Sequence, residues 1–347
     1  MRRQASMFPP HDRYAHTMRH RWLAGILTAF LALQGSPAAA AASSTDGLTL
    51  FAAYPTVARA ALVLDAQGYA AYGEYVYQNA ETGEYHYTSP TLQVHITRHQ
   101  DTDPKVVWHE AQIYSRNGTL FHVWPFNPQK ATATAQQTLI AQKHHLVFAI
   151  NGDFSHLRIG WDATVGLLIR NQSIIFSRTY KKTTTRYPNL DNLAFLPDGS
   201  MLAQGRNDAT MDDYLSLGAY DLLAFGPVLI HNGIVNSRAF GRYGWERAPR
   251  TALGMVSPGH YVAIMVEGRH ENSRGWSTTH LAAHMAALGV TEALNLDGGQ
   301  SATMIFMGKQ IIRVGNSKSL TARPRKSAEV VGIGQSKLVW PVATKKK

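Results

Sequence analysis

The apolar positions of this chain fall into short runs broken by turn residues. Thr91 to Thr97 alternates Leu92, Val94 and Ile96 with polar neighbours, the period of a half-buried strand, and a second strand is expected from Val106 to Tyr114, before Asn117-Gly118. Ala131 to His145 has helical composition. Leu146 to Ile150 is wholly apolar and stops at Asn151-Gly152-Asp153, and shorter strands fit Gly166 to Ile169, Ser173 to Ser177 and Leu193 to Phe195. Upstream, from Ser43 to about Pro90, a Tyr- and Ala-rich stretch carries turn signals at Ala66-Gln67-Gly68 and Glu81-Thr82-Gly83 and reads as a small β-rich lead-in.

Arg250 to Phe306 carries the most information. Thr251 to Val256 and Tyr261 to Val266 are apolar runs joined by Ser257-Pro258-Gly259-His260, a hairpin whose two-residue turn would set Arg250 opposite Glu267. Ser277 is a plausible N-cap for a helix with Leu281, Met285 and Leu288 on one face and Gly289 as its stop. Ala293 to Leu296 is a further strand, ending at Asp297-Gly298-Gly299. Strand, helix, strand implies a crossover with two parallel strands. The expected fold is therefore α/β (α+β): a mixed sheet with crossover helices, in one catalytic domain over 91–335 preceded by the lead-in over 43–90.

This order has a chemical consequence. Ile150, Val266 and Leu296 each end an apolar run, and Asp153, Glu267 and Asp297 follow, each beside a glycine. If the three strands lie parallel in one sheet, all three carboxylates gather at its carboxyl edge, where open α/β sheets bind ligands.

Composition narrows the chemistry. Among 347 residues there is no cysteine, so disulfides, thiolate metal ligands and thiol nucleophiles are excluded. The net charge of +11 sits at the ends: residues 43 to 317 hold 21 basic and 21 acidic residues. A neutral body argues against a nucleic-acid-binding face. Arg19 and Arg21, the apolar run from Trp22 to Leu33, Pro37 and the alanines 38–42 follow the order of a secretory signal, and the run is too short to span a bilayer. The expectation is a signal peptide over 1–42, no membrane span after its cleavage, export to the periplasm or beyond, and a basic tail over 336–347.

Asn151-Gly-Asp-Phe154, Phe225-Gly-Pro-Val228, Arg250-Thr-Ala-Leu-Gly254, Glu267-Gly-Arg269, Asn295-Leu-Asp-Gly-Gly-Gln-Ser-Ala-Thr-Met304 and Arg325-Lys-Ser-Ala-Glu-Val-Val331 occur in that order. Together they resemble the phosphodiester glycosidases, the family of the enzyme that removes N-acetylglucosamine from its phosphodiester with mannose 6-phosphate. Gln300, Glu267, Ser155 and Val165 depart from the family's usual residues. The resemblance implies hydrolysis of a sugar-1-phosphodiester, with an N-acetylhexosamine one as a candidate, in a phosphoglycan or related substrate, with no cofactor required. A carboxylate would meet the developing positive charge at carbon and a guanidinium the leaving phosphate. On this reading Asp297 is the reacting carboxylate, Arg250 the phosphate clamp and Glu267 its orienting or acid/base partner. Asn151, Gly152, Asp153, Gly226, Thr251, Arg269, Asn295, Gly298, Gly299, Ser301 and Thr303 are the substrate-binding candidates.

Plainer readings stand beside these. Arg250 and Glu267 could be a cross-strand ion pair, and Asn151 and Asn295 could cap local backbone. Two other functions stay open: a phosphodiesterase using Asp153, Glu267 and Asp297 as ligands of a divalent cation, and a non-catalytic glycan-binding protein.

Overall fold

A computed structural model describes residues 63–130, 132–153, 165–179, 189–237, 245–313 and 324–339, all within one compact unit, Thr56–Lys347. The signal peptide, the first part of the lead-in, Phe154, Ser155 and the Lys345–Lys347 run lie outside the described residues. Nineteen strands in this set form three sheets, and every pairing is antiparallel.

The largest sheet runs β1 (Tyr75–Asn79), β2 (Glu84–Thr88), β3 (Leu92–Thr102), β4 (Lys105–Ser115), β15 (His260–Val266), β14 (Arg250–Ser257), β16 (Glu292–Leu296), β12 (Val228–His231) and β13 (Ile234–Val235). The second runs β10 (Met201–Gln204), β9 (Asp191–Phe195), β11 (Asp221–Phe225), β7 (Leu168–Arg170) and β8 (Ser173–Phe176). The third runs β18 (Lys309–Gln310), β17 (Met304–Phe306), β6 (Leu146–Asn151), β19 (Glu329–Gln335) and β5 (Phe121–Pro125). Three short α-helices, α1 (Gln137–Lys143), α2 (Met211–Ser216) and α3 (Thr278–Ala287), and one 3-10 turn over Gly299–Ser301 complete the set.

The layers follow from which side chains each strand turns inward. Val94, Ile96, Ala111, Ile113, Leu253, Leu294 and Leu296 of the large sheet meet Phe148, Ile150, Leu168, Leu193, Val331 and Ile333 of the other two, forming the main core. Its opposite face meets α3 through Leu281, Ala282 and Met285. Helices α1 and α2 cover the outer faces of the third and second sheets. No helix among the described residues is long and apolar enough to cross a membrane.

Three expectations are corrected here. The α/β class with crossover helices gives way to a predominantly antiparallel β architecture. One crossover remains: β15 and β16 point the same way around α3, but β14 lies between them and pairs with both. The apolar runs are strands, as expected, but a run buried on both faces suits either sheet type. Second, β6 belongs to a different sheet from β15 and β16, so the three carboxylates do not share one sheet edge. Third, the hairpin opens with Ser257 opposite His260 but shifts by one at a bulge, which sets Arg250 opposite Val266 instead of Glu267. Ser277 does cap α3, its side chain accepting from His280 N at 3.1 Å. The lead-in strands β1 and β2 are continuous with β3 in the large sheet.

Candidate active site

Asp297 is the first residue beyond β16, in a turn shaped by glycines. A Cβ on Gly298 would sit 2.6 Å from the Pro249 carbonyl oxygen, and Gly299 has φ +58 with Arg269 Nη1 3.1 Å from where its Cβ would be. Gly298 and Gly299 thus let the turn press against Pro249-Arg250 on one side and against a guanidinium on the other. Arg269 itself holds φ 62, a left-handed backbone that bulky residues adopt at a cost, directly after Glu267-Gly268. Gln300 is not among the residues with positive φ, and its carbonyl accepts Arg325 N at 2.9 Å. A side chain is therefore tolerated where the family usually has glycine.

Asn151 organises the floor. Its Nδ2 donates to the Asp297 carbonyl at 2.7 Å and to the Gly152 carbonyl at 3.3 Å. Its Oδ1 accepts the Thr251 hydroxyl at 2.8 Å and Thr303 N at 3.0 Å. These bonds use both amide protons and both carbonyl lone pairs, so the buried Asn151 is a joint between the large and third sheets. Thr251 is committed to the same joint.

The Asp297 carboxyl is half-buried, and its pKa is pushed up to about 6, first by desolvation. The negative charge of Asp153 adds to the rise, while Ser301, Arg325 and the Gly298 amide oppose it. Asp153, two residues beyond β6, is itself buried and near enough for its charge to act on Asp297. The hydroxyls of Ser301 and Thr303 are buried with no hydrogen-bond partner in the structure, although Ser301 is near enough to Asp297 to favour its ionised form. The main cation acting on Asp297 is Arg325, an exposed residue whose carbonyl, like that of Ser301, accepts from Gln137 of α1.

Other predicted residues take different places. Glu267 is buried: its Oε1 accepts Arg313 N at 2.9 Å, and its Oε2 lies 3.3 Å from His270 Nε2 outside hydrogen-bond geometry. Burial raises its pKa, and the Arg313 amide and His270 oppose the rise. The expected Arg250–Glu267 pair is absent. Arg250 instead donates through Nε to the Trp276 carbonyl at 3.2 Å and through Nη2 to the Glu246 carbonyl at 2.7 Å, with burial, opposed by Glu246 and aided by nearby Arg269, lowering its pKa. Asn295 Nδ2 donates to the Gly226 carbonyl at 2.9 Å, and Gly226, at φ +91, packs against Asp191. Asn295 and Gly226 therefore lock β16 to the start of β12. Trp276 is buried against α3, and Trp245 is 78% exposed.

The proposed metal trio is not assembled, since Glu267 is turned to Arg313 and His270. No group of three or more His, Cys, Asp or Glu among the described residues is arranged to hold a metal ion.

Arg325, and the buried pair of Arg170 on β7 with Glu329 on β19, are not among the residues that the sequence singles out as candidates. Glu329 backs onto Gly152, where a Cβ would lie 2.9 Å from Glu329 Cγ. The one available signal was Glu329 itself, an acidic residue in an apolar run.

Residues 144–333 match the family model for phosphodiester glycosidase. The chain is 28% identical over 187 residues to an SPbeta prophage-derived uncharacterized protein, YomE, of Bacillus subtilis (strain 168). That match covers 51% of the chain and 27% of the relative, so the chain spans about a quarter of that protein's length. Its fold is similar to the zebrafish N-acetylglucosamine-1-phosphodiester alpha-N-acetylglucosaminidase catalytic domain, auto-inhibited by its pro-peptide, with TM-score 0.57, 20% identity, and coverage of 72% of this chain and 85% of that one. A hypothetical protein from Synechocystis aligns at TM-score 0.49 and 14% identity, over 71% of this chain and 62% of that one.

Proposed function

The chain belongs to the phosphodiester glycosidase family, and on that premise we propose that it hydrolyses the bond between an anomeric carbon and phosphate in a sugar-1-phosphodiester. An N-acetylhexosamine 1-phosphodiester, within a phosphoglycan or glycoconjugate, is the substrate favoured by the fold likeness to the zebrafish enzyme. The observation that carries the reading is the carboxylate pair at the glycine turn: Asp297, with its pKa near 6, beside Asp153, with Arg325 and Arg269 close by.

The C–O bond breaks with its electron pair leaving on the phosphate oxygen, while positive charge grows at carbon. Asp297 stabilises that charge as nucleophile or as base for water, with Asp153 as its partner carboxyl. Water adds its oxygen to carbon and gives its proton to a carboxylate. Arg325 and Arg269 meet the leaving phosphate, whose low basicity reduces the need for a strong acid. Arg250, held by two backbone carbonyls, adds positive charge from behind the turn. Glu267 braces the Arg313 backbone in place of a catalytic role.

Hydrolysis of N-acetylglucosamine 1-phosphodiesters in oxygen-18 water tests the bond cleaved: label is expected in the sugar, and label in the phosphate would establish attack at phosphorus. Arg325→Met tests the cation. Because Arg325 lowers the Asp297 pKa, its loss is expected to move the acidic limb of kcat/KM upward from about 6. An unmoved limb would separate Arg325 from Asp297. The basic, apolar and alanine segments before Ser43 support export, and N-terminal sequencing of secreted or periplasmic protein should begin near Ser43.

A further inference from the structure

The outward face of β1 to β4 lies outside the site. Strand register places Tyr77 opposite His86, His86 opposite His95, and His95 opposite Gln112, one residue per strand. The rings touch: Tyr77 and His86 centroids are 5.7 Å apart, and His86 and His95 meet edge-on at 4.9 Å. On the next strand, His260 Nε2 lies 2.9 Å from Gln112 Oε1 and its ring stacks on Tyr114 at 4.3 Å. Four interstrand steps make the row roughly 19 Å long, enough to seat several sugar rings. Helix α3 packs on the same face chiefly over β12, β13, β14 and β16, so His95 and Tyr114 stay exposed.

The polar groups of the row are already ordered. Gln112 Nε2 donates to Glu110 Oε1 at 2.9 Å, and Glu110 Oε2 lies 3.1 Å from His284 Nε2. Gln112, and through it the His260 ring, are therefore held in place before any ligand arrives, which lowers the entropy lost on binding.

Charge selects the kind of partner. The positions of β1 to β4 that alternate onto this face include Glu84 and Glu110 and no Lys or Arg. Burial holds the pKa of His86 and of His260 below the ordinary imidazole range, so both rings are neutral at pH 7. A nucleic acid or other anionic polymer finds no cation among these strand positions, and Arg116, beyond Tyr114, is already paired with Asp65. A pyranose chain offers what the row can use, an apolar C–H face for the rings and hydroxyl edges for Gln112, Thr97 and Glu110. The geometry points to a neutral glycan chain as the ligand of the Tyr77, His86, His95, Gln112, His260 and Tyr114 row, a binding surface separate from the residues that carry out hydrolysis.

The test is isothermal titration of the whole protein with cellohexaose, maltohexaose and chitohexaose. Because calorimetry requires no turnover, its outcome is independent of the hydrolase reading. At least one hexasaccharide is expected to bind, and the double variant His95→Ala with Tyr114→Ala to weaken its Kd at least about tenfold, with an unchanged melt and unchanged kcat on a small phosphodiester. His95→Phe, which keeps a ring, should retain the affinity. Failure of all three glycans to bind, undiminished binding by the double variant, or tighter binding of heparin to the same row would overturn the assignment.

Discussion

Asp297→Asn is expected to lower kcat by at least roughly a hundredfold on N-acetylglucosamine 1-phosphodiesters while the protein stays folded. The substitution keeps the shape of the side chain and removes the charge that meets the oxocarbenium-like carbon. It should also stabilise the fold at neutral pH. In the native state the Asp297 pKa is about 6, above its value of 3.8 in the unfolded chain. Between those values the folded protein binds more protons than the unfolded one, so stability is lost as pH rises through this window. Asn is free of that loss. Thermal melts should show the variant above the wild type at pH 7.5 and level with it near pH 4, and near-normal turnover would remove Asp297 from the mechanism.

Arg170→Met should produce the largest fall in stability, about 3–5 kcal/mol, because it leaves Glu329 charged and buried without its cation. The two side chains are 5% and 2% exposed and join β7 of the second sheet to β19 of the third. Glu329 also supports Gly152, so activity should fall with stability, through displacement of Asp153. Urea unfolding measures the first effect. A midpoint within error of the wild type would mean that the pair contributes nothing to the folded state.

Much of this was legible in residue order. The runs at Leu92, Val106, Leu146, Thr251, Tyr261 and Ala293 are strands because alternation or continuous apolarity is a local property that tertiary structure did not override. The placing of Asp297 just beyond a strand, before two glycines, was legible because that is a local pattern. Strand partners were not. Placing Ile150 beside Met304 and Val331, and not beside Val266, depends on how three sheets stack, which periodicity does not encode. The surroundings of Arg250 and Arg325 have the same origin. Arg250 adjoins the motif in sequence but donates through Nε and Nη2 to backbone carbonyls, whereas Arg325, from the segment before β19, acts on the charge of Asp297. The pairing of Arg250 with Glu267 was not legible because a bulge of one residue shifts the register of the hairpin.

The four-way bonding of Asn151 has a consequence for when activity first exists. Its partners Thr251, Asp297 and Thr303 lie 100, 146 and 152 residues farther along the chain, and the strand that pairs with β6 on its other side, β19, comes later still. Contacts of such long range form late and slowly. Asp153 and Asp297 come together only when β6 and β16, far apart in the chain, are both in place. If the proposed hydrolysis is correct, a chain lacking β19 should therefore show no turnover of a phosphodiester, and full turnover without it would uncouple that strand from the site.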